Sequence, residues 1–171
     1  MVYVSKYNSR LGGITIASDG NFLTGLWFNG QKHFACNLSK KFEYKELEIF
    51  SLTKKWLDEY FLGKNPAFLP PFSMGETSRF RKSVWEALVN IPYGETTTYG
   101  CIAKRIELET GKRTSVQAVG GAIGRNSISI IIPCHRVVGT NGSLTGYAGG
   151  IDKKIELLKL EGVDLNKFIL P

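Results

Sequence analysis

At 171 residues, 43% hydrophobic and 22% charged, the chain has room for one globular domain or two small ones. The net charge of +7 suits an anionic partner without being a nucleic-acid signature in itself. No apolar run approaches membrane-spanning length and no signal-peptide pattern opens the chain, so no membrane association is expected.

Val2 to Tyr7 alternates and predicts a strand. Gly13 to Ser18 predicts a second, and Asp19-Gly20 turns the chain into a third, Phe22 to Phe28. An antiparallel meander of three or so strands follows from these. Lys45 to Leu62 carries Leu47, Phe50, Leu52, Trp56, Leu57, Tyr60 and Phe61 at helical spacing, and Gly63 closes that helix. Pro66, Pro70 and Pro71 then mark a boundary, giving a domain over 1–72 and another over 73–171.

The second half opens with Thr77 as N-cap and a helix whose buried stripe is Phe80, Val84, Trp85 and Leu88, stopped by Pro92. Thr98 caps a short helix from Tyr99 to about Glu107, and Ser115 caps another to about Gly124. Two short helices joined by a turn, with Lys104, Arg105, Lys112, Arg113 and Arg125 around them, have the layout of a helix-turn-helix. Such pairs also serve as plain packing units. The second helix contains Gly120-Gly121, and each helical glycine costs about 1 kcal/mol relative to alanine. Either another helix packs closely there, or a small-residue face must approach DNA.

Ile130-Ile131-Ile132 reads as a short buried strand that Pro133 ends, leaving Cys134 and His135 at its exit. A thiol attacks as thiolate, and imidazole is the usual group to deprotonate it. Taken alone, such a pair is more often a small buried hydrophobe beside a satisfied histidine. Asn141-Gly142 is a turn, Gly146-Tyr147-Ala148-Gly149-Gly150 a glycine-rich loop, and Asp152 to Glu161 a last helix with Ile155, Leu157, Leu158 and Leu160 inward. Glu161 sits at the unfavourable end of the helix dipole, which makes His135 a candidate partner for it. The cysteines Cys36, Cys101 and Cys134 are odd in number and far apart, which argues against disulfides and for a reducing compartment. His33 and Cys36 would be two ligands of a zinc site that needs four, so no metal is expected.

Pro133-Cys134-His135-Arg136-Val137, with Asn126 before it and Gly146-Tyr147 and Leu160-Glu161-Gly162 after it, resembles the O6-alkylguanine-DNA alkyltransferases. Tyr99 and Ala118-Val119-Gly120-Gly121 extend the resemblance, which is dense over roughly 76–165 and a matter of layout in the N-terminal half. It implies an α+β fold: a small antiparallel sheet with a helix, then a mostly helical domain with a helix-turn-helix and the short strand leading to the cysteine. It also implies direct-reversal repair: irreversible, stoichiometric transfer of the alkyl group of O6-alkylguanine in duplex DNA to Cys134, without cofactor, with O4-alkylthymine as a further substrate candidate.

In that resemblance Glu161 orients His135, which takes the Cys134 proton through a bound water. Tyr99 relieves charge on the leaving base, and Asn126 ties the reading helix to the active turn. Val138, Tyr147, Ala148 and Gly149 form the pocket. Ser115, Gln117, Ala118, Gly120, Gly121, Arg125 and Arg136 contact DNA through the minor groove, with the target base flipped out. A monomer is implied, cytoplasmic and at the nucleoid in a prokaryote, or nuclear in a eukaryote. Two positions depart from the common pattern: Gln117 stands where many members have arginine, and Ala148 where some have serine.

Three other readings are compatible with parts of the sequence. A non-transferring relative would bind alkylated DNA but lack the cysteine that this chain has. A cysteine hydrolase would need an oxyanion hole. A transcription regulator of this family would carry a cysteine-rich metal domain, whereas the first hundred residues hold only Cys36.

Overall fold

Alternating apolar residues with tight turns between them produce the sheet of the first unit. The computed structural model describes residues 1–36 and 38–170. The chain divides into two units, one of 1–76 with 127–131, the other of 77–126 with 132–171.

In the first unit β1 (Val2–Ser9), β2 (Gly12–Ser18) and β3 (Leu23–Phe28) form the expected antiparallel meander. Asp19 Oδ1 accepts from the backbone N–H groups of Asn21 and Phe22 and so fixes the second turn. A short strand without an apolar pattern, β4 (Phe42–Tyr44), joins β1 in parallel, giving the order β3-β2-β1-β4. Helix α1 (Glu48–Phe61) packs Phe50, Leu57 and Tyr60 inward, together with Ile14, Ile16 and Leu26 of the sheet, all six without exposed surface. The proline-rich segment belongs to this unit, because Leu23 exchanges backbone hydrogen bonds with Pro71 and Ser73. Further along β3, Leu26 does the same with Ser127 and Ser129.

The expected strand over 130–132 does not form. All three isoleucines are buried, but Ile130 lies at φ +70°, a left-handed conformation strained for a β-branched residue. The Cys134 N–H donates to the Ile132 carbonyl across Pro133, whose φ of −82° and ψ of 62° are those of an inverse γ-turn. Burial alone produced the apolar run, and the chain reverses where a strand would continue.

In the second unit α2 (Arg79–Val89) is capped by Ser78, whose side chain accepts from the Arg81 N–H; Thr77 is not the cap. Val84, Trp85 and Leu88 are buried as expected, Phe80 only partly. Strand β5 (Thr97–Thr98) leads into α3 (Tyr99–Thr110), and α4 (Val116–Ile123) follows. Thr98 and Ser115 cap α3 and α4, accepting from the Cys101 and Ala118 N–H groups. Gly111 ends α3 in the left-handed conformation. A single 3₁₀ turn, Cys134–Arg136, runs into β6 (Val137–Val138), which pairs in parallel with β5. Helix α5 (Ile151–Leu160) closes the unit, with Leu158 packed against Val138 and Leu144. No helix among the described residues is long and apolar enough to cross a membrane.

Candidate active site

Cys134 opens the 3₁₀ turn, and only 4% of its surface is exposed. Burial pushes its thiol up, since the thiolate is the form that loses solvation. Asn126, just past α4, opposes that push: its Nδ2 donates to Cys134 Sγ at 3.1 Å and to the Ile132 carbonyl at 2.8 Å. The expected link between the helix pair and the cysteine turn is present, and it reaches the sulfur itself.

His135 is fully buried, and its Nε2 lies 2.7 Å from Glu161 Oε1. A carboxylate only accepts, so Nε2 carries the proton and Nδ1 is the basic nitrogen of the neutral ring. Burial pulls the imidazole down, and the Glu161 hydrogen bond only partly offsets it. The ring is therefore neutral at pH 7 and able to take a proton.

Arg136, expected on the DNA surface, is instead turned inward and 8% exposed. Its Nε donates to Glu161 Oε2 at 2.8 Å, one terminal nitrogen to Glu161 Oε1 at 3.0 Å and the other to the Ile91 carbonyl at 2.6 Å. A guanidinium committed to a buried carboxylate is not available to a phosphate. Glu161 Oε2 also accepts from the Gly94 N–H at 3.2 Å. Burial alone would raise the Glu161 carboxyl, but the hydrogen bonds and charges of His135 and Arg136 outweigh it and hold it at about 2.

Tyr99 starts α3, and its hydroxyl donates to the Thr145 and Gly146 carbonyls, both at 3.3 Å. Burial raises its phenol to about 12, which keeps the proton on it at neutral pH. Gly146 has φ +74°, and a Cβ there would meet the Tyr99 hydroxyl at 2.7 Å. That glycine is required by both backbone and space. Tyr147 is buried with its ring 6.3 Å from His135, Ala148 and Gly149 are half-buried, and Val138 lies in β6.

The α4 face is laid out differently. Ser115, Gln117, Ala118, Gly121 and Arg125 are exposed, and Gly120 is half-buried. A Cβ on Gly121 would meet nothing within 4 Å, and one on Gly120 only the Tyr99 ring edge at 4.0 Å. Close packing between helices therefore does not explain the glycines. Among the described residues no group of three or more His, Cys, Asp or Glu could hold a metal.

A family model for the DNA-binding domain of 6-O-methylguanine DNA methyltransferase matches residues 79–163, and one for that family's ribonuclease-like domain matches residues 2–73. The chain belongs to the 6-O-methylguanine DNA methyltransferase family. A methylated-DNA–protein-cysteine methyltransferase of Methanosarcina acetivorans is 44% identical over 169 residues, spanning 94% of this chain and 99% of the relative. One from Haemophilus influenzae is 39% identical over 162 residues, spanning 95% and 87%. The crystal structure of Mycobacterium tuberculosis O6-methylguanine methyltransferase superposes with a TM-score of 0.80 at 39% identity, covering 94% of this chain and 93% of that one. That organism's OGT in complex with DNA gives 0.81 at 37% identity, covering 97% and 94%. The α+β architecture of the second-unit helices and first-unit sheet is that of these methyltransferase structures.

Within this methyltransferase framework, sequence reasoning missed the Arg136 clamp and Lys154, which is fully buried and donates to two carbonyls. The signal for Lys154 was available. Lys154, Leu157, Leu158 and Glu161 follow i, i+3, i+4, i+7 and form the inner stripe of the last helix, with Ile155 and Leu160 only half-buried.

Proposed function

We propose that this protein repairs DNA by moving the alkyl group of O6-alkylguanine irreversibly onto Cys134, once per molecule. The reading rests on one observation above others: a neutral His135, held through Nε2 by Glu161, follows directly on a cysteine whose sulfur accepts from Asn126.

In this reading His135 takes the thiol proton and Glu161 stabilises the imidazolium that forms. The Cys134 sulfur attacks the alkyl carbon. A carbon–sulfur bond forms, the carbon–oxygen bond to guanine breaks, and its electron pair stays with the base. Tyr99, protonated at neutral pH, donates to the departing base in exchange for its contacts to Thr145 and Gly146. The product is a thioether. It has no activated carbonyl for water to attack, so the cysteine is not regenerated. Val138, Tyr147, Ala148 and Gly149 wall the pocket, and the target nucleotide leaves the duplex to reach it.

The exposed face of α4 carries the DNA contact in the minor groove. Ser115, Gln117, Ala118, Gly120, Gly121 and Arg125 form that contact, and the protein acts as a monomer. Glycines with open space above them favour this reading, because neither the helix nor its neighbours need them. Arg136 is left out of the contact.

The test is an intact-mass measurement after incubation with an O6-methylguanine oligonucleotide. One added methyl on the peptide containing Cys134, absent from C134S, is the expected result. Unchanged mass, or continued turnover, overturns the reading.

A further inference from the structure

Lys154 is the fourth residue of α5 and has no exposed surface. Lysine is almost never fully buried unless it is paired. Among the described residues no carboxylate lies within ion-pair distance of it. Its place near the start of the helix also opposes the helix dipole. A residue so disfavoured needs a compensating partner.

Part of the compensation is hydrogen bonding. Nζ donates to the Val137 carbonyl at 2.5 Å and to the Thr145 carbonyl at 2.8 Å. Val137 directly follows the turn that holds Cys134, and Thr145 begins the run to Tyr147. The Thr145 carbonyl also accepts from Tyr99. One amine thus ties the cysteine turn, the pocket loop and Tyr99 together. Two carbonyls, however, need only a donor, which a neutral amide supplies. A buried cation calls for an anion. Glu161 does not fill that role, being saturated by His135, Arg136 and the Gly94 N–H.

We propose that Lys154 is a positioning residue for the transfer: its buried cation stabilises the Cys134 thiolate, while its two hydrogen bonds hold the pocket wall. The inference rests on Cys134 being the alkyl acceptor. The charges act on each other in the required sense. Burial pulls the Lys154 ammonium down to about 8 and Cys134 pushes it back up; burial raises the Cys134 thiol, and Asn126 and Lys154 lower it. Among the described residues, Tyr99 also interacts electrostatically with Cys134 and His135 with Lys154, and His135 is in turn coupled to Glu161 and Arg136.

The test uses K154Q, which keeps a donor but loses the charge, and K154R, which keeps the charge. Thiolate formation is followed by ultraviolet absorbance across pH, as the difference between each variant and its C134S counterpart. Single-turnover transfer from an O6-methylguanine oligonucleotide is followed in parallel. K154Q moves the thiolate midpoint to higher pH and slows transfer at pH 7 about tenfold or more, the effect of removing one nearby opposite charge. Raising the pH recovers its rate, and K154R titrates near the wild type. A K154Q midpoint equal to the wild type, or a loss of rate equal at all pH, overturns the proposal. Should K154Q not fold, the Lys154 side chain is titrated by NMR in wild type and in C134S. A lower Lys154 midpoint in C134S supports the coupling, and equal midpoints overturn it. Neither titration depends on the DNA reaction, so failure here is distinct from failure of the alkyl-transfer reading.

Discussion

Replacing Gly121 by alanine separates the stability of α4 from its function. The residue lies in the third quarter of an eight-residue helix, is exposed, and has open space where a Cβ would go. Alanine is favoured over glycine in a helix by about 0.8–1.0 kcal/mol. With no clash to subtract, G121A gains most of that, which for a domain pair of this size raises Tm by about 2–4 °C. Affinity goes the other way if backbone must approach DNA there. A methyl group forced into a close-fitting contact costs about 1–3 kcal/mol, or roughly fivefold to a hundred-and-fortyfold in Kd. Thermal unfolding and binding to a duplex carrying one O6-methylguanine, at fixed salt, give both numbers. A destabilised G121A refutes the reading of open space. A stabilised G121A with unchanged affinity refutes the claim that the glycine exists for DNA.

Three further outcomes follow from the same geometry. G146A sets alanine at φ +74° with its Cβ 2.7 Å from the Tyr99 hydroxyl, so urea unfolding should show a loss of about 1–2 kcal/mol and transfer should slow through the displaced tyrosine; wild-type values for both would count against that packing. Glu161 is held at about 2 against an ordinary 4.5, so its stabilisation is complete above 4.5 and is lost as pH falls toward 2. E161Q should therefore flatten the fall of unfolding free energy over that window, worth about 3 kcal/mol, and slow transfer about a hundredfold; identical pH slopes would contradict the assignment. Q117R should steepen the dependence of log affinity on log salt by about one ion, and equal slopes would remove Gln117 from the interface.

Much of this fold was legible because periodicity and caps are local. The three-strand meander, α1, and the Thr98 and Ser115 caps follow from residues adjacent in sequence. The pairing of β4 with β1 was not, since Phe42–Tyr44 has no pattern of its own and is positioned by its partner. The 130–132 segment misled because apolarity reports burial and not direction; the left-handed Ile130 has no sequence signature. In the site, Cys134, His135 and Glu161 were legible as a set. Arg136 was misplaced because a surface arginine and a buried clamp look alike until the carboxylate between them is located. Lys154 was passed over because only apolar residues of the last helix were placed inward, although its spacing put it on the inner stripe.

The central claim is that one sulfur is consumed per repair event. The most direct measurement titrates a known amount of protein with excess methylated duplex and counts methyl groups removed after the reaction stops. A plateau at one methyl per protein molecule, with a thioether on Cys134 accounting for all of them, is the predicted result. Methyl removal that continues past one equivalent would contradict it.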